Sequence, residues 1–298
     1  MYLFVLGRQS EISLAEIRAV FGNAELVLPD VVLVKSASPP DIDRLGGTRK
    51  IARIIYDNDG KPAEFLIKKF SELPQGKITL GVSHYGKAAS ADSAKKTGMM
   101  IKKQLNRSVR ILPNSAAEIS DAASLGNKLG TGTNKLELLM AYVGHRLIIA
   151  ELIGVQDLNS YTLRDRGRPK RDARVGMLPP KLAQIMINLA SPKPGDLDKG
   201  YLGGSTEGSH PKNVFDEVKK FSGEEVETGP KYPSNEPGFG LTLLDPFCGT
   251  GVVLQEAALM GFNTYGTDID PRMISYSKTN LDWLSRTFEL SNFRTKSW

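Results

Sequence analysis

The most constraining feature of the sequence is a glycine-rich turn between an apolar strand and an apolar helix. Residues 241–251 read Leu-Thr-Leu-Leu-Asp-Pro-Phe-Cys-Gly-Thr-Gly, and apolar residues typical of a helix follow over 252–260. Glycines allow such a turn to approach a ligand closely, and the N–H groups at the start of the helix attract an anionic group. The pattern predicts a ligand site at the carboxyl end of a sheet.

A second strand, predicted over 263–269, follows this helix and carries Asp268 near its end. A carboxylate in that place accepts hydrogen bonds from both hydroxyls of a ribose. A dinucleotide-binding turn requires a third small residue, but the bulky Leu254 occupies that position. The spacing therefore favours an adenosyl ligand over a nicotinamide dinucleotide.

Two groups of motifs resemble one enzyme family. The string Asp-Pro-Phe-Cys-Gly-Thr-Gly at 245–251, with Gly-Thr-Asp-Ile-Asp at 266–270, resembles the S-adenosylmethionine motifs of class I RNA methyltransferases. The stretch over 156–183 resembles the segment that joins the THUMP RNA-binding domain to the methyltransferase domain in tRNA guanosine-N2-methyltransferases that act at position ten. The resemblance extends over the chain apart from 191–240 and is weakest in the first 60 residues.

The resemblance and the composition together predict an α+β region followed by a partial α/β domain. In 191–240, nine Gly and six Pro residues are typical of a linker or flexible insertion. The predicted segments are a ferredoxin-like α+β unit at 1–60, a THUMP-like RNA-binding domain at 61–158, a linker with the first methyltransferase helix at 159–190, the Gly/Pro-rich insertion at 191–240, and a partial Rossmann-like methyltransferase domain at 241–298.

The resemblance also implies which residues bind S-adenosylmethionine. Residues of the turn would surround the methionine end of the cofactor, Asp268 would bind the ribose, and a second stretch would form the outer wall of the pocket. The turn residues are Asp245, Phe247, Gly249 and Gly251, and the wall residues are Met177, Leu178 and Pro179.

Positive charge is concentrated in one part of the chain. The net charge is +6, and residues 61–110 hold eleven Lys and Arg against three acidic residues. A concentrated basic surface attracts polyanions, so RNA, in particular tRNA, is the expected partner. A solubilising lysine face and a linker held by ion pairs are the alternatives. The candidate RNA-binding residues are Lys95, Lys96, Lys102 and Lys103 of a helix predicted over 91–105, with Arg164, Arg168, Lys170 and Arg171.

One motif of the resembled family is absent from the 298 residues. Those enzymes hold the acceptor amine with an Asp/Asn-Pro-Pro-aromatic string, but neither Pro-Pro pair here, at 39–40 and 179–180, precedes an aromatic residue. We therefore assign no catalytic residue. Two interpretations follow. The chain is the front part of an RNA methyltransferase, either truncated by a gene break or completed by a separately encoded C-terminal half, or it is a non-catalytic RNA-binding protein with a vestigial methyltransferase segment.

Composition excludes several other classes of protein. One Cys and three His residues argue against a disulfide framework or a zinc site. No apolar run approaches the roughly 18 residues of a membrane span, and the N-terminus lacks a secretory signal, so we expect a cytoplasmic protein. Cys248 is expected to be a packing residue, Met99 and Met100 to be core residues, and His84 to be solvated.

Overall fold

The computed structural model describes residues 1–58, 62–87, 89–174, 176–191 and 241–288, and the backbone of 295–297. The chain forms two compact units, Met1–Ala190 and Ser191–Trp298. The predicted Gly/Pro-rich insertion, apart from Ser191, lies outside the described residues.

An eight-stranded mixed sheet forms the centre of the first unit. Its strands are β1 (Tyr2–Leu6), β2 (Ala24–Leu28), β3 (Val31–Val34), β4 (Thr48–Asn58), β5 (Ile78–Tyr85), β6 (Val109–Ile111), β7 (Lys135–Val143) and β8 (Arg146–Val155). They lie in the order β2-β3-β1-β4-β8-β7-β5-β6. All pairs are antiparallel except those of β5, which runs parallel to β6 and β7.

Six α-helices accompany this sheet in the described part of the first unit. They are α1 (Ser10–Phe21), α2 (Pro62–Ser71), α3 (Ala91–Gln104), α4 (Asp121–Gly126), α5 (Leu158–Thr162) and α6 (Pro180–Ala190). A 3₁₀ turn covers Ile42–Arg44 and a π turn covers Leu163–Gly167. Apolar residues of α2 and α3, including Leu66, Phe70 and Ile101, pack against β5, β7 and β8.

The central strands are buried because their sequences are continuously apolar. All five residues of β1, Tyr-Leu-Phe-Val-Leu, are buried, a pattern typical of a strand covered on both faces. Ile17 of α1 belongs to the same buried cluster as Phe4 and Leu6. The sequence predicts one strand over 26–34, but a turn at Pro29 and Asp30 divides it into β2 and β3.

The single sheet includes strands from both sides of the predicted boundary at residue 60. β4 pairs with β8 from Lys50 opposite Val155 to Asn58 opposite Leu147. Helix α6, which the sequence assigns to the methyltransferase domain, packs on α1 in the first unit, where Asn188 donates a hydrogen bond to Glu16 at 2.8 Å. The ferredoxin-like, THUMP-like and linker assignments stay predictions.

The second unit contains a small parallel α/β arrangement. Its elements are β9 (Thr242–Asp245), α7 (Val252–Leu259), β10 (Asn263–Gly266), α8 (Pro271–Thr287) and β11 (Thr295–Ser297). The strand order is β11-β10-β9, with both pairs parallel. The strand, helix and strand predicted over 241–269 are confirmed. Beyond residue 270 the sequence predicts one helix over 273–288 and a polar end; α8 confirms the helix, whereas β11 adds a third parallel strand.

None of the helices in the described ranges has the length and apolar character needed to cross a membrane. Within the same ranges, no group of three or more His, Cys, Asp or Glu side chains is arranged to hold a metal ion.

Candidate functional site

The glycine turn connects β9 to α7, and its two glycines have different surroundings. Both have left-handed backbone angles, with φ +52° at Gly249 and +83° at Gly251. A Cβ added to Gly251 would lie 2.5 Å from Oγ of Ser277 in α8. A Cβ added to Gly249 would meet no atom of the described residues within 4 Å. Gly251 is therefore packed against α8, whereas Gly249 borders open space.

The N–H groups of the two glycines form hydrogen bonds inside the protein. Gly249 donates to Oδ2 of Asp268 at 2.9 Å, and Gly251 donates to the carbonyl of Cys248 at 2.8 Å. Gly251 is the N-cap of α7 and forms no side-chain capping hydrogen bond. Because the first N–H groups of a helix have no acceptor within it, the first turn of α7 supplies the donors for an anionic ligand group.

Two carboxylates lie at the carboxyl ends of the adjacent strands β9 and β10. Asp268 accepts N–H groups from Gly249 and, at 2.9 Å, from Asp270, one on each oxygen. Asp245 accepts the N–H of Phe247 at 3.1 Å. Burial raises the pKa of Asp245, and the charge of Asp268 raises it further against the lowering effect of the Phe247 N–H. A cation or hydroxyl donor placed here would relieve this repulsion.

The thiol of Cys248 has the character of a packing group. Cys248 is buried in a cluster with Leu254, Ile274 and Leu281. Burial, together with the charges of Asp245 and Asp268, raises the pKa of Cys248 to about 11. Since the thiolate is the reactive form of cysteine, this thiol is a poor nucleophile at neutral pH.

Two large apolar side chains are exposed beside the carboxylates. Phe247 is 82% exposed and Ile269, directly after Asp268, is 98% exposed. Exposed apolar groups next to a polar recognition site are typical of a surface that a ligand covers. The sequence analysis predicts no role for Ile269. The signal that could have indicated one is its position directly after Asp268.

The predicted wall residues belong to the other unit. Met177 and Leu178 are partly buried and Pro179 is exposed, immediately before α6. Their role in binding the cofactor stays a prediction.

The predicted RNA-binding lysines lie on α3, as the sequence indicates. Lys95, Lys96, Lys102 and Lys103 are all exposed. Lys96 forms a 2.7 Å ion pair with Asp92, one turn earlier on the same helix. The four ammonium groups therefore form an accessible basic surface on α3, which we call the α3 lysine surface.

The arginines of the second predicted group differ in exposure. Arg164 and Arg168 are 6% and 3% exposed, whereas Lys170 and Arg171 are exposed. The guanidinium of Arg164 stacks 4.2 Å from the centre of the Tyr161 ring and donates to Oγ of Ser160 at 2.5 Å. These contacts place Arg164 in the interior of the first unit, where Arg168 is also buried, and the role of both arginines in RNA binding stays a prediction.

A hydrogen-bond network that the sequence does not indicate joins the 156–184 segment to the rest of the first unit. Gln156 donates to the carbonyls of Leu45 and Gly46 at 3.0 and 3.1 Å and accepts from Lys181 at 2.5 Å. The Tyr161 hydroxyl donates to Gln184. The motif that resembles a linker thus has a structural role, because it attaches α6 to the sheet.

Comparison with known proteins gives matches to methyltransferases. Residues 236–286 match the family model described as "RMKL-like, methyltransferase domain". The tRNA (guanine(10)-N2)-dimethyltransferase of Methanothermobacter thermautotrophicus is 55% identical over 42 residues, 14% of this chain and 12% of that protein. The protein of the same name from Methanocaldococcus jannaschii is 26% identical over 167 residues, 55% of this chain and 34% of that protein.

Among solved structures, TrmN from Thermus thermophilus aligns with a TM-score of 0.46 and 15% identity, over 100% of this chain and 73% of that one. The matched regions span about an eighth and a third of the two curated relatives. The sequence matches relate the chain to the tRNA guanine-N2 methyltransferase family, and so confirm the resemblance that its motifs indicate.

Proposed function

We propose that this chain binds S-adenosylmethionine at the turn between β9 and α7 and takes part in methylating the N2 amine of guanine in tRNA. The observation that carries the proposal is the arrangement of two strand-end carboxylates, Asp245 and Asp268, around a turn that is open at Gly249. The named relatives act on tRNA, and the domain match supports use of this cofactor.

The chemistry of the turn fits the chemical groups of S-adenosylmethionine. The first turn of α7 offers N–H donors for a carboxylate, and Asp245 offers a negative charge for an ammonium or sulfonium group. Each oxygen of Asp268 accepts one backbone N–H and retains a lone pair for a ribose hydroxyl. Phe247 and Ile269 offer apolar surface to the remainder of the ligand. When bound, the cofactor supplies an electrophilic methyl group.

We assign RNA binding to the first unit. The α3 lysine surface would contact phosphates, and Lys170 and Arg171 would extend the contact. This assignment accompanies the prediction that 61–158 is a THUMP-like domain and 1–60 a ferredoxin-like unit.

The groups that would orient the acceptor amine are not assigned to this chain. Transfer of the methyl group requires the guanine amine to be held in line with it, and the base must be accessible outside its stack. Because no Asp/Asn-Pro-Pro-aromatic string occurs in the 298 residues, we propose that residues outside them provide this part of the site.

The second candidate function is RNA binding without catalysis, and the exposed α3 lysine surface is the observation that favours it. An assay of methyl transfer to tRNA distinguishes the methyltransferase function from RNA binding alone. We expect no transfer from labelled S-adenosylmethionine to tRNA by the 298-residue chain, and transfer when a polypeptide carrying the string is added. Absence of transfer in every such mixture would favour the RNA-binding function, whereas transfer by the chain alone would contradict the proposed division of the site.

Cofactor binding is tested with Asp268→Ala in the full chain. Removing an ionised acceptor of hydrogen bonds costs about 1.5–3 kcal/mol, so we expect affinity for S-adenosylmethionine to fall by roughly 10- to 100-fold. Isothermal calorimetry measures the effect.

The matched control is Asp282→Ala, which removes the same charge from an exposed position of α8. Its affinity should stay within about twofold of the original. Equal losses in both variants, or a complete lack of binding by the unmodified chain, would contradict the assignment of the site.

A further inference from the structure

The buried side-chain amide of Asn280, in α8, contacts the turn between β9 and α7. Nδ2 of Asn280 donates a hydrogen bond to the carbonyl oxygen of Thr250 at 2.8 Å. Asn280 is fully buried and Thr250 nearly so. Asn280 lies outside the two motifs that resemble the methyltransferases. Its contact is with the turn itself, between the two glycines.

The peptide that Asn280 contacts is fixed at both of its polar ends. Its carbonyl belongs to Thr250 and its N–H to Gly251, and that N–H donates to the carbonyl of Cys248 at 2.8 Å. Since a peptide is planar, the two hydrogen bonds together determine the orientation of the whole unit. This unit leads directly into α7, because Gly251 is the N-cap.

A glycine at this position makes an external restraint necessary. Gly251 has φ +83°, and glycine populates positive and negative φ about equally. Without the Asn280 hydrogen bond, rotation of the peptide between Thr250 and Gly251 would meet less resistance. Such a rotation would break the bond to Cys248 and turn the first N–H groups of α7 away from their present direction. Both residues are buried, so the hydrogen bond between them is shielded from solvent.

We propose that Asn280 is a positioning residue, which orients the start of α7 so that its N–H groups receive the carboxylate of the cofactor. The inference rests on the proposed function, because it assigns a role toward the ligand of the same turn. It adds that recognition of the amino-acid part of the ligand depends on α8. The adenosine part depends on other residues, Asp268 among them.

The affinities for two different ligands distinguish this positioning role from a general effect on the fold. S-adenosylmethionine has the carboxylate, whereas 5′-methylthioadenosine keeps the adenosine and the sulfur but has no amino-acid part. In Asn280→Ala and Asn280→Asp, we expect affinity for S-adenosylmethionine to fall about tenfold, which corresponds to about 1.4 kcal/mol. Affinity for 5′-methylthioadenosine should change less than twofold. Titrations followed by NMR measure both affinities in the full chain.

The control variant is Leu284→Ala, which opens a cavity at a fully buried position one turn further along α8. It lowers stability while leaving the Asn280 hydrogen bond in place, so both ligands should retain their relative affinities. A similar loss for the two ligands in Asn280→Ala, or the same selective loss in Leu284→Ala, would overturn the positioning role.

Amide hydrogen exchange in the chain without ligand tests the role of Asn280 independently of the proposed cofactor binding. The Gly251 amide should exchange faster in Asn280→Ala than in the unmodified chain and in Leu284→Ala, after correction for global stability. Equal exchange in Asn280→Ala and the unmodified chain would contradict the inference. An unmodified chain with a protected Gly251 amide that binds neither ligand would contradict the proposed function.

Discussion

Replacing Glu137 with alanine is expected to lower the free energy of unfolding by about 3–5 kcal/mol. Glu137 and Lys50 form an ion pair of 2.6 Å in which both side chains are 0% exposed. The hydroxyls of Ser83 and Ser124 donate to the same carboxylate at 2.6 and 2.5 Å. Without Glu137, two buried hydroxyls lose this acceptor and the Lys50 ammonium loses its counter-ion, keeping only the hydrogen bond to the carbonyl of Ile119 at 2.6 Å. Urea unfolding followed by circular dichroism measures the loss.

The control for this prediction is Asp57→Ala, which breaks the partly exposed ion pair with Arg146. Exposed pairs contribute about 0–1 kcal/mol, so this variant should lose much less stability. Combining Glu137→Leu with Lys50→Met removes both charges and should recover much of the loss, since apolar replacement of a whole buried pair is often neutral. A loss below about 1 kcal/mol for Glu137→Ala would show that water or another group compensates the ammonium.

Changing the four lysines of the α3 lysine surface to glutamate is expected to reduce affinity for tRNA by roughly 10²- to 10³-fold near 0.1 M salt. Each phosphate contact releases about 0.7 to 0.9 of a counterion, so losing four contacts also makes the slope of log affinity against log salt shallower by about 3. The loss should not depend on RNA sequence, because phosphates carry no sequence information. Filter binding at several salt concentrations measures both quantities.

A matched variant distinguishes the loss of tRNA affinity caused by changing the α3 lysine surface from the loss caused by the change in net charge. It changes four exposed lysines outside the α3 lysine surface to glutamate: Lys35, Lys128, Lys135 and Lys278. The change in net charge is the same. Affinity in this variant should fall far less than in the α3 variant. Equal losses in the two variants would mean that α3 is not the contact surface.

Local patterns in the sequence predict the second unit closely. The helix predicted over 252–260 is observed as Val252–Leu259, and the strand predicted over 263–269 begins at Asn263. Both elements are short and flanked by glycine, and the helix is largely apolar, so the chain itself carries the signal. The short strand β11 has no such signal, since Thr295–Ser297 contains only polar residues and forms through pairing with β10.

The buried side of α3 shows where the hydrophobic pattern misleads. The sequence predicts Met99 and Met100 as core residues, but they are 39% and 37% exposed. The side that packs contains Ala94, Gly98 and Ile101, which lie on one helical face. Small residues allow α3 to approach the sheet, and a Cβ on Gly98 would already lie 3.0 Å from Ile111. Residue size and helical spacing, together with the apolar Ile101, select this face.

Local sequence patterns do not predict which polar side chains the folded chain buries or which groups they bind. His84 is predicted to be solvated, but it is buried, with its ring nitrogens 2.9 Å from Oγ of Ser93 and 3.3 Å from Oγ1 of Thr97. Burial lowers the pKa of His84. Most partners of Gln156 and Glu137 lie 25 or more residues away along the chain, so their hydrogen bonds leave no periodic signal. The fold positions these groups, whereas the glycine turn is determined by its own residues.

The place of β4 in the sheet determines how the first unit can form during synthesis. β4 is the longest strand and pairs with β1 on one side and β8 on the other. β4 ends at Asn58 and β8 begins at Arg146, so the 87 residues between them must leave the ribosome first, and until then one edge of an eleven-residue strand has no partner. Open apolar edges recruit other chains, and distant pairings form slowly. Nascent chains paused before residue 155 should therefore depend on chaperones, and those that include β8 should not.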